Sequence, residues 1–250
     1  MERIPVDRVI SKLDELLSKN DYAAAKEHLL YWLGEAEKMQ DNRGALLLNN
    51  ELMGLSRKLG EKENALKFVN NALQLIDKMN IANNVGAATT YLNSATVYKA
   101  FGKAQDGIDL FCKAKDIYEK NLAANDDRIA GLYNNMALSY VDLCRFDEAD
   151  ELYKKAIAVL SKINGKEPEQ AITYLNMASA AEAQFGLEDA EGKITECLNK
   201  AMELLDISEY QNDGNYAFVC EKCASVFGYY GYFFYENELK ERSRRIYERS

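Results

Sequence analysis

The sequence predicts an all-α chain built from about six stacked antiparallel helix pairs, and three observations carry that reading. First, Tyr133-Asn134-Asn135-Met136-Ala137 recurs as Tyr91-Leu92-Asn93-Ser94-Ala95, 42 residues upstream, and as Tyr174-Leu175-Asn176-Met177-Ala178, 41 downstream. A looser copy, Leu48-Asn49-Asn50-Glu51-Leu52, lies one further period back. Self-similarity at a period of roughly 20–50 residues marks stacked repeats, each one supersecondary unit. Second, apolar residues return at helical spacing throughout, beginning with Val9, Leu13, Leu16 and Leu17. Third, the only prolines are Pro5 and Pro168, so long stretches are free to be helical.

The first repeat, about 4–40, opens at Pro5, which suits a first helical turn. Lys19-Asn20-Asp21 separates its helices, and the second carries Tyr22, Ala25, Leu29, Trp32 and Leu33 on one face. Trp32 stands where later repeats have Ala72, Ala114 and Ala156, and reads as a packing anchor. The second repeat, about 42–80, holds Leu46, Asn50, Leu52 and Leu55, and Leu59-Gly60 ends its first helix. The third and fourth, about 85–120 and 127–163, set Ala95 and Ala137 against Ala114 and Ala156, small residues that let helices approach closely. The fifth, about 168–206, begins after Pro168 and has a longer turn, Leu187–Gly192. The sixth, about 213–249, begins near Tyr216, and its charged final helix, Glu236–Arg249, suits a polar cap. The six repeats use all 250 residues as one array, with no separate domain expected.

Composition narrows the function classes. Hydrophobic residues make up 48%, with 16 Tyr and 9 Phe, which argues against disorder. A net charge of −9 disfavours nucleic acid as a partner. The basic stretch Arg242 to Arg249 is broken by Ser243, Tyr247 and Glu248 and reads as a solvated helix face. There is no secretory leader pattern and no run near the ~18 apolar residues of a membrane span. Five scattered cysteines, an odd number, make a disulfide framework unexpected and point to a reducing, cytoplasmic setting.

No constellation for chemistry emerges. His28 is the only histidine, so a His-based metal site or catalytic pair lacks a second member. Cys220-Glu-Lys-Cys223 has zinc-like spacing, but zinc usually takes four ligands, and these thiols read as buried small hydrophobes on one helical turn. Carboxylates are spread along helix faces, and phosphate-binding Gly-rich loops are absent. No enzymatic activity, cofactor or metal is expected.

The alternation of large and small residues, with Phe146-Asp147-Glu148-Ala149 opening a second helix and Ala156 seven residues on, resembles the tetratricopeptide repeat. With the Leu-Asn-Asn and Tyr-Asn-Asn signatures, the period near 42 is similar to the longer repeats of kinesin light chain and of bacterial tetratricopeptide proteins. The resemblance implies a right-handed superhelix whose first helices line a concave groove holding a peptide or a partner's segment. Members that clamp acidic C-terminal tails use Lys and Arg at early-helix slots, where this chain has Leu46, Thr89, Gly131 and Ile172. An acidic C-terminal tail is therefore not the expected partner.

Mid-helix Asn is a poor choice by propensity, so its return at Asn50, Asn93, Asn135 and Asn176 needs a reason. An amide both donates and accepts, which suits either an extended peptide backbone or bonding between neighbouring helices that holds the repeats in register. The expected groove wall adds Thr96, Lys99, Leu138, Asp142, Ser179 and Glu182, with Glu221 in the Asn slot of the sixth repeat. The expected function is a non-enzymatic peptide- or protein-binding scaffold. Alternatives are a peptide-sensing regulator, similar to the pheromone sensors of Gram-positive bacteria but acting through a separate output partner, or a self-association module. The aromatic run Phe227–Tyr235 either closes the last helix pair or presents a sticky patch.

Overall fold

A computed structural model describes residues 3–207 and 213–248, so Arg249, counted in the sixth repeat and its final helix, lies outside the described residues. Among the described residues there are twelve helices and no strand. They fall into two compact units, Met1–Asn121 and Leu122–Ser250.

The N-terminal unit contains α1 (Val6–Ser18), α2 (Tyr22–Lys38), α3 (Asn42–Lys58), α4 (Lys62–Met79), α5 (Val85–Ala100) and α6 (Ala104–Asn121). Consecutive helices form hairpins, and α3 also packs on α2 and α5. Asp21, Asp41 and Asn84 cap α2, α3 and α5 by accepting from the backbone N–H groups of Ala24, Gly44 and Ala87. Each such cap contributes about 1 kcal/mol by satisfying an orphan donor of the first turn. Leu29, Leu48, Leu52, Met53 and Val69 are fully buried in the shared core. Burying each aliphatic side chain contributes roughly 1.5–3 kcal/mol.

The C-terminal unit contains α7 (Asp127–Asp142), α8 (Phe146–Leu160), α9 (Glu167–Phe185), α10 (Glu191–Leu205), α11 (Gly214–Tyr229) and α12 (Phe233–Tyr247). Here α9 packs on α7, α8, α10 and α11. Tyr133 and Ala137 of the repeated stretch are both buried, as packing residues should be.

The turn inside most helix pairs repeats one device. A residue with positive φ follows the first helix, and the next N–H bonds back five residues, as in Glu61 N–H to Ser56 O, Lys103 N–H to Tyr98 O and Arg145 N–H to Tyr140 O. This is the helix-stop geometry that glycine adopts without steric cost. Gly60 and Gly102 take that position at φ of 73° and 72°, but Cys144 takes it at 57°. The close approach expected between α5 and α6 is present: a Cβ on Gly107 would lie 3.0 Å from Ala95 O.

Several sequence expectations need correction. α9 starts at Glu167, with Pro168 inside its first turn, where its missing N–H costs nothing. α10 starts at Glu191, so the preceding turn is shorter than expected. α12 starts at Phe233, because the backbone turn ends at Gly231 and the aromatics Phe233 to Tyr235 form the first helical turn. Arg242 is not on a solvated face. Its side chain is 15% exposed and donates to Leu205 O, Tyr216 Oη and Asp206 Oδ1, binding α12 to the end of α10 and to α11. Among the described residues no helix is long and apolar enough to cross a membrane.

Candidate functional site

In the N-terminal unit the recurring Asn side chains meet across α3 and α5. Asn50 Nδ2 donates to Leu46 O at 2.9 Å and to Thr90 Oγ1 at 3.0 Å. Asn93 Nδ2 donates to Asn50 Oδ1 at 3.1 Å. Both Asn50 hydrogens are thus spent, one of them on its own helix and one on its neighbour. Asn93 retains Oδ1 and one hydrogen with no partner among the described residues. One turn on, half-buried Thr96 bonds back to Leu92 O at 2.9 Å, and Lys99 is half-buried near the end of α5.

In the C-terminal unit the bonding slips by one residue. Asn176 Nδ2 donates to Asn134 Oδ1 at 3.1 Å, so the brace falls on Asn134 and not on Asn135. Asn134 stands where the neighbouring copies have Leu92 and Leu175, so the recurrence of Asn does not mark it. Asn135 Nδ2 turns back to Gly131 O at 2.8 Å, leaving Oδ1 without a partner among the described residues. Asn176 likewise keeps Oδ1 and one hydrogen. Leu138 is half-buried, Asp142 is exposed at the end of α7, and Ser179 is exposed and bonds back to Leu175 O at 3.3 Å.

Glu182 does something the sequence reading missed. Its carboxylate accepts from Tyr229 Oη at 2.6 Å and from Tyr230 Oη at 2.7 Å, joining α9 to α11. Burial, followed by this carboxylate, pushes the Tyr230 hydroxyl up, and the same hydrogen bond raises that of the exposed Tyr229. The signal was available: Tyr229 lies 47 residues after Glu182, about one period. Glu182 is therefore a brace between first helices as well as a wall residue.

The aromatic run divides. Phe227 and Tyr235 are buried and packed edge to face with centroids 4.7 Å apart, whereas Phe233 and Phe234 are 62% and 96% exposed. Cys220 and Cys223 are buried, and burial pushes the Cys223 thiol up to about 12, so neither has thiolate character near neutrality. His28 packs against α1, its Nε2 3.0 Å from Val9 O. No group of His, Cys, Asp and Glu able to hold a metal ion occurs among the described residues.

Residues 128–205 match the family model described as tetratricopeptide repeat. A comparison with curated protein sequences finds no match. Among solved structures, BtubC (BKLC) from P. vanneervenii is 19% identical with a TM-score of 0.68, over 80% of this chain and 79% of that one. The tetratricopeptide-like repeats of a Podosopora anserina kinesin light chain variant are 18% identical with a TM-score of 0.57, over 82% and 97%. NprR in complex with its cognate peptide NprX is 16% identical with a TM-score of 0.56, over 99% and 71%. At these identities the likeness establishes fold. Residues 128–205 thus match the tetratricopeptide-repeat model, and the helix pairs of both units share the fold of tetratricopeptide-repeat proteins.

Proposed function

We propose that this protein is a non-enzymatic module that binds an extended peptide or a partner's segment along its first helices. The observation that supports this best is unspent hydrogen-bonding capacity: Asn93, Asn135 and Asn176 each hold an Oδ1 acceptor with no protein partner among the described residues. A peptide backbone N–H is the matching donor. NprR, of similar fold, was solved with a peptide. Each amide bond contributes roughly 0.5–1.5 kcal/mol net, against the ~8 kcal/mol of micromolar affinity. Side chains beside the amides of each unit, Thr96 and Lys99 in the N-terminal one and Leu138, Asp142 and Ser179 in the C-terminal one, supply the remainder and the selectivity of that unit. With a net charge of −9 and an exposed Asp142, a neutral or basic segment is favoured over an acidic tail. The proposed setting is the cytoplasm, where five free cysteines stay reduced.

Selection from a displayed random-peptide library tests this. Peptides recovered with the native protein should lose about two- to tenfold affinity on Asn135→Ala, a loss of ~0.5–1.5 kcal/mol, with the fold retained. Failure to recover any peptide, or unchanged affinity in Asn93→Ala, Asn135→Ala and Asn176→Ala, sinks the proposal. If peptide binding holds, it also serves the regulatory variant, in which occupancy is passed to a separate output partner.

The exposed Phe233 and Phe234 favour a second reading, self-association. Sedimentation of native protein and of Phe234→Ser across a concentration series decides it, and a native monomer at every concentration removes it.

A further inference from the structure

We propose that the C-terminal unit carries a second docking site, separate from the Asn row, for a partner segment that sets a bulky apolar side chain between basic residues. It lies where the first half of α10 meets the turn between α11 and α12, around a cavity of about 420 Å³. That volume falls within the roughly 300–1,000 Å³ of ligand pockets.

Two glycine turns build it. Gly186 ends α9 at φ 83°, and the turn that follows, closed by Ala190 N–H to Gly186 O at 3.1 Å, leaves Leu187 56% exposed. Gly231, at φ 84°, sits between Tyr230 and Tyr232. Leu187 and both tyrosines line the cavity together with Ile194. The aromatic walls are fixed before a partner arrives. Tyr230 Oη is spent on Glu182 at 2.7 Å, so the ring is what it offers, and Tyr232 packs edge to face on buried Phe227 with centroids 6.1 Å apart. Walls that are already ordered lower the cost of binding. Exposed Phe185 precedes one turn and exposed Phe233 follows the other, extending the apolar surface beyond the cavity. A contiguous apolar surface of this kind marks an interaction site.

Charge selects the occupant. Glu188 and Glu191 line the cavity, Asp189 lies between them in sequence, and none of the three forms an ion pair among the described residues. No lysine, arginine or histidine is among the described residues that line it. Lys193, two residues beyond Glu191, is engaged with Asp150 at 3.6 Å. An apolar cavity edged by carboxylates that lack a cationic side chain complements an apolar anchor flanked by Arg or Lys. Those cations are also attracted to the faces of tyrosine rings. A second copy of this chain would bring the same carboxylates and a net charge of −9 to the contact, and like charges across an interface oppose it.

The probe is acetyl-Arg-Leu-Arg-amide, titrated into the ¹⁵N-labelled protein, with acetyl-Glu-Leu-Glu-amide and acetyl-Arg-Gly-Arg-amide as controls. Saturable shifts of the Leu187, Glu188 and Thr195 backbone amide signals are expected, with an affinity about tenfold above either control. Leu187→Ser, at an exposed position, should weaken the probe about tenfold and leave the melt unchanged. Glu188→Gln with Glu191→Gln should weaken it about two- to tenfold and remove most of its salt dependence. Asn135→Ala and Asn176→Ala should leave it unchanged, which separates this site from the Asn row. No saturable shift at millimolar probe, an equal response to either control, or full binding by Leu187→Ser overturns the proposal. So do shifts of the same amides on raising protein concentration alone, undiminished by the probe, which would make a second copy the occupant.

Discussion

In the N-terminal unit the interhelical amide bond joins equivalent positions of two repeats, Asn50 and Asn93, whereas in the C-terminal unit it joins Asn176 to Asn134, one residue out of step. The same recurring residue therefore has different partners in the two units. Asn50 is saturated as a donor by Leu46 O and Thr90 Oγ1 and acts as a brace. Its counterpart Asn135 bonds only its own helix and offers an acceptor outward. A period in sequence copies a side chain without copying what it touches.

The largest effect expected from breaking this comparison is at Ala137, which is fully buried and sets how deeply α7 seats. Ala137→Leu should overpack the crossing by about 1–3 kcal/mol and lower the melting temperature by several degrees. An unchanged thermal melt would mean that α7 is not held tightly, and the one-residue offset would lose its physical basis. Next comes the pair of braces. Asn50→Ala removes three hydrogen bonds and should cost about 1–3 kcal/mol, while Asn134→Ala removes one interhelical bond and should cost about 0.5–1.5. Urea denaturation of both variants ranks them, and the reverse order would contradict the assignment of Asn50 as the heavier brace.

The two units match in their helix stops but for one residue each, and here substitution should stabilise. Gly60 and Gly102 serve the N-terminal unit at positive φ beside Asn20, and Gly186 and Gly231 serve the C-terminal unit beside exposed Cys144. Cys144→Gly relieves the Cβ clash and is expected to gain about 0.5–1 kcal/mol, read as a rise of a degree or more in the melt. A fall would show that the Cys144 side chain contributes more than its backbone conformation costs. The smallest perturbation is chemical. With its thiol pushed up to about 12 and its side chain buried, Cys223 should resist alkylation at pH 8 in the folded protein, while Cys144 labels readily. Equal labelling rates would place Cys223 at the surface.

The helix pairs were legible because period, helical spacing and the Gly60 and Gly102 stops all depend on local sequence. A close α5–α6 approach was expected from Ala95 and Ala114, and the residue that meets Ala95 across it is Gly107. What escaped the sequence depends on neighbours one repeat away. Asn134 does not recur in the neighbouring copies, so the repeat gave it no role until α9 supplied its partner. Glu182 looked like groove wall until Tyr229 and Tyr230 of α11 reached it. Arg242 looked solvated because its acceptors, Leu205 O and Asp206, end a helix of the previous pair.

The division of labour between adjacent amides is most directly tested on one pair of variants, Asn134→Ala and Asn135→Ala, each measured for melting temperature and for affinity to a peptide selected on the native protein. Asn134→Ala should lower the melt by about 1–5 °C and largely keep the affinity. Asn135→Ala should leave the melt within about 1 °C and lose about two- to tenfold in affinity. The opposite pattern, a destabilised Asn135→Ala that still binds and a stable Asn134→Ala that does not, would contradict the account.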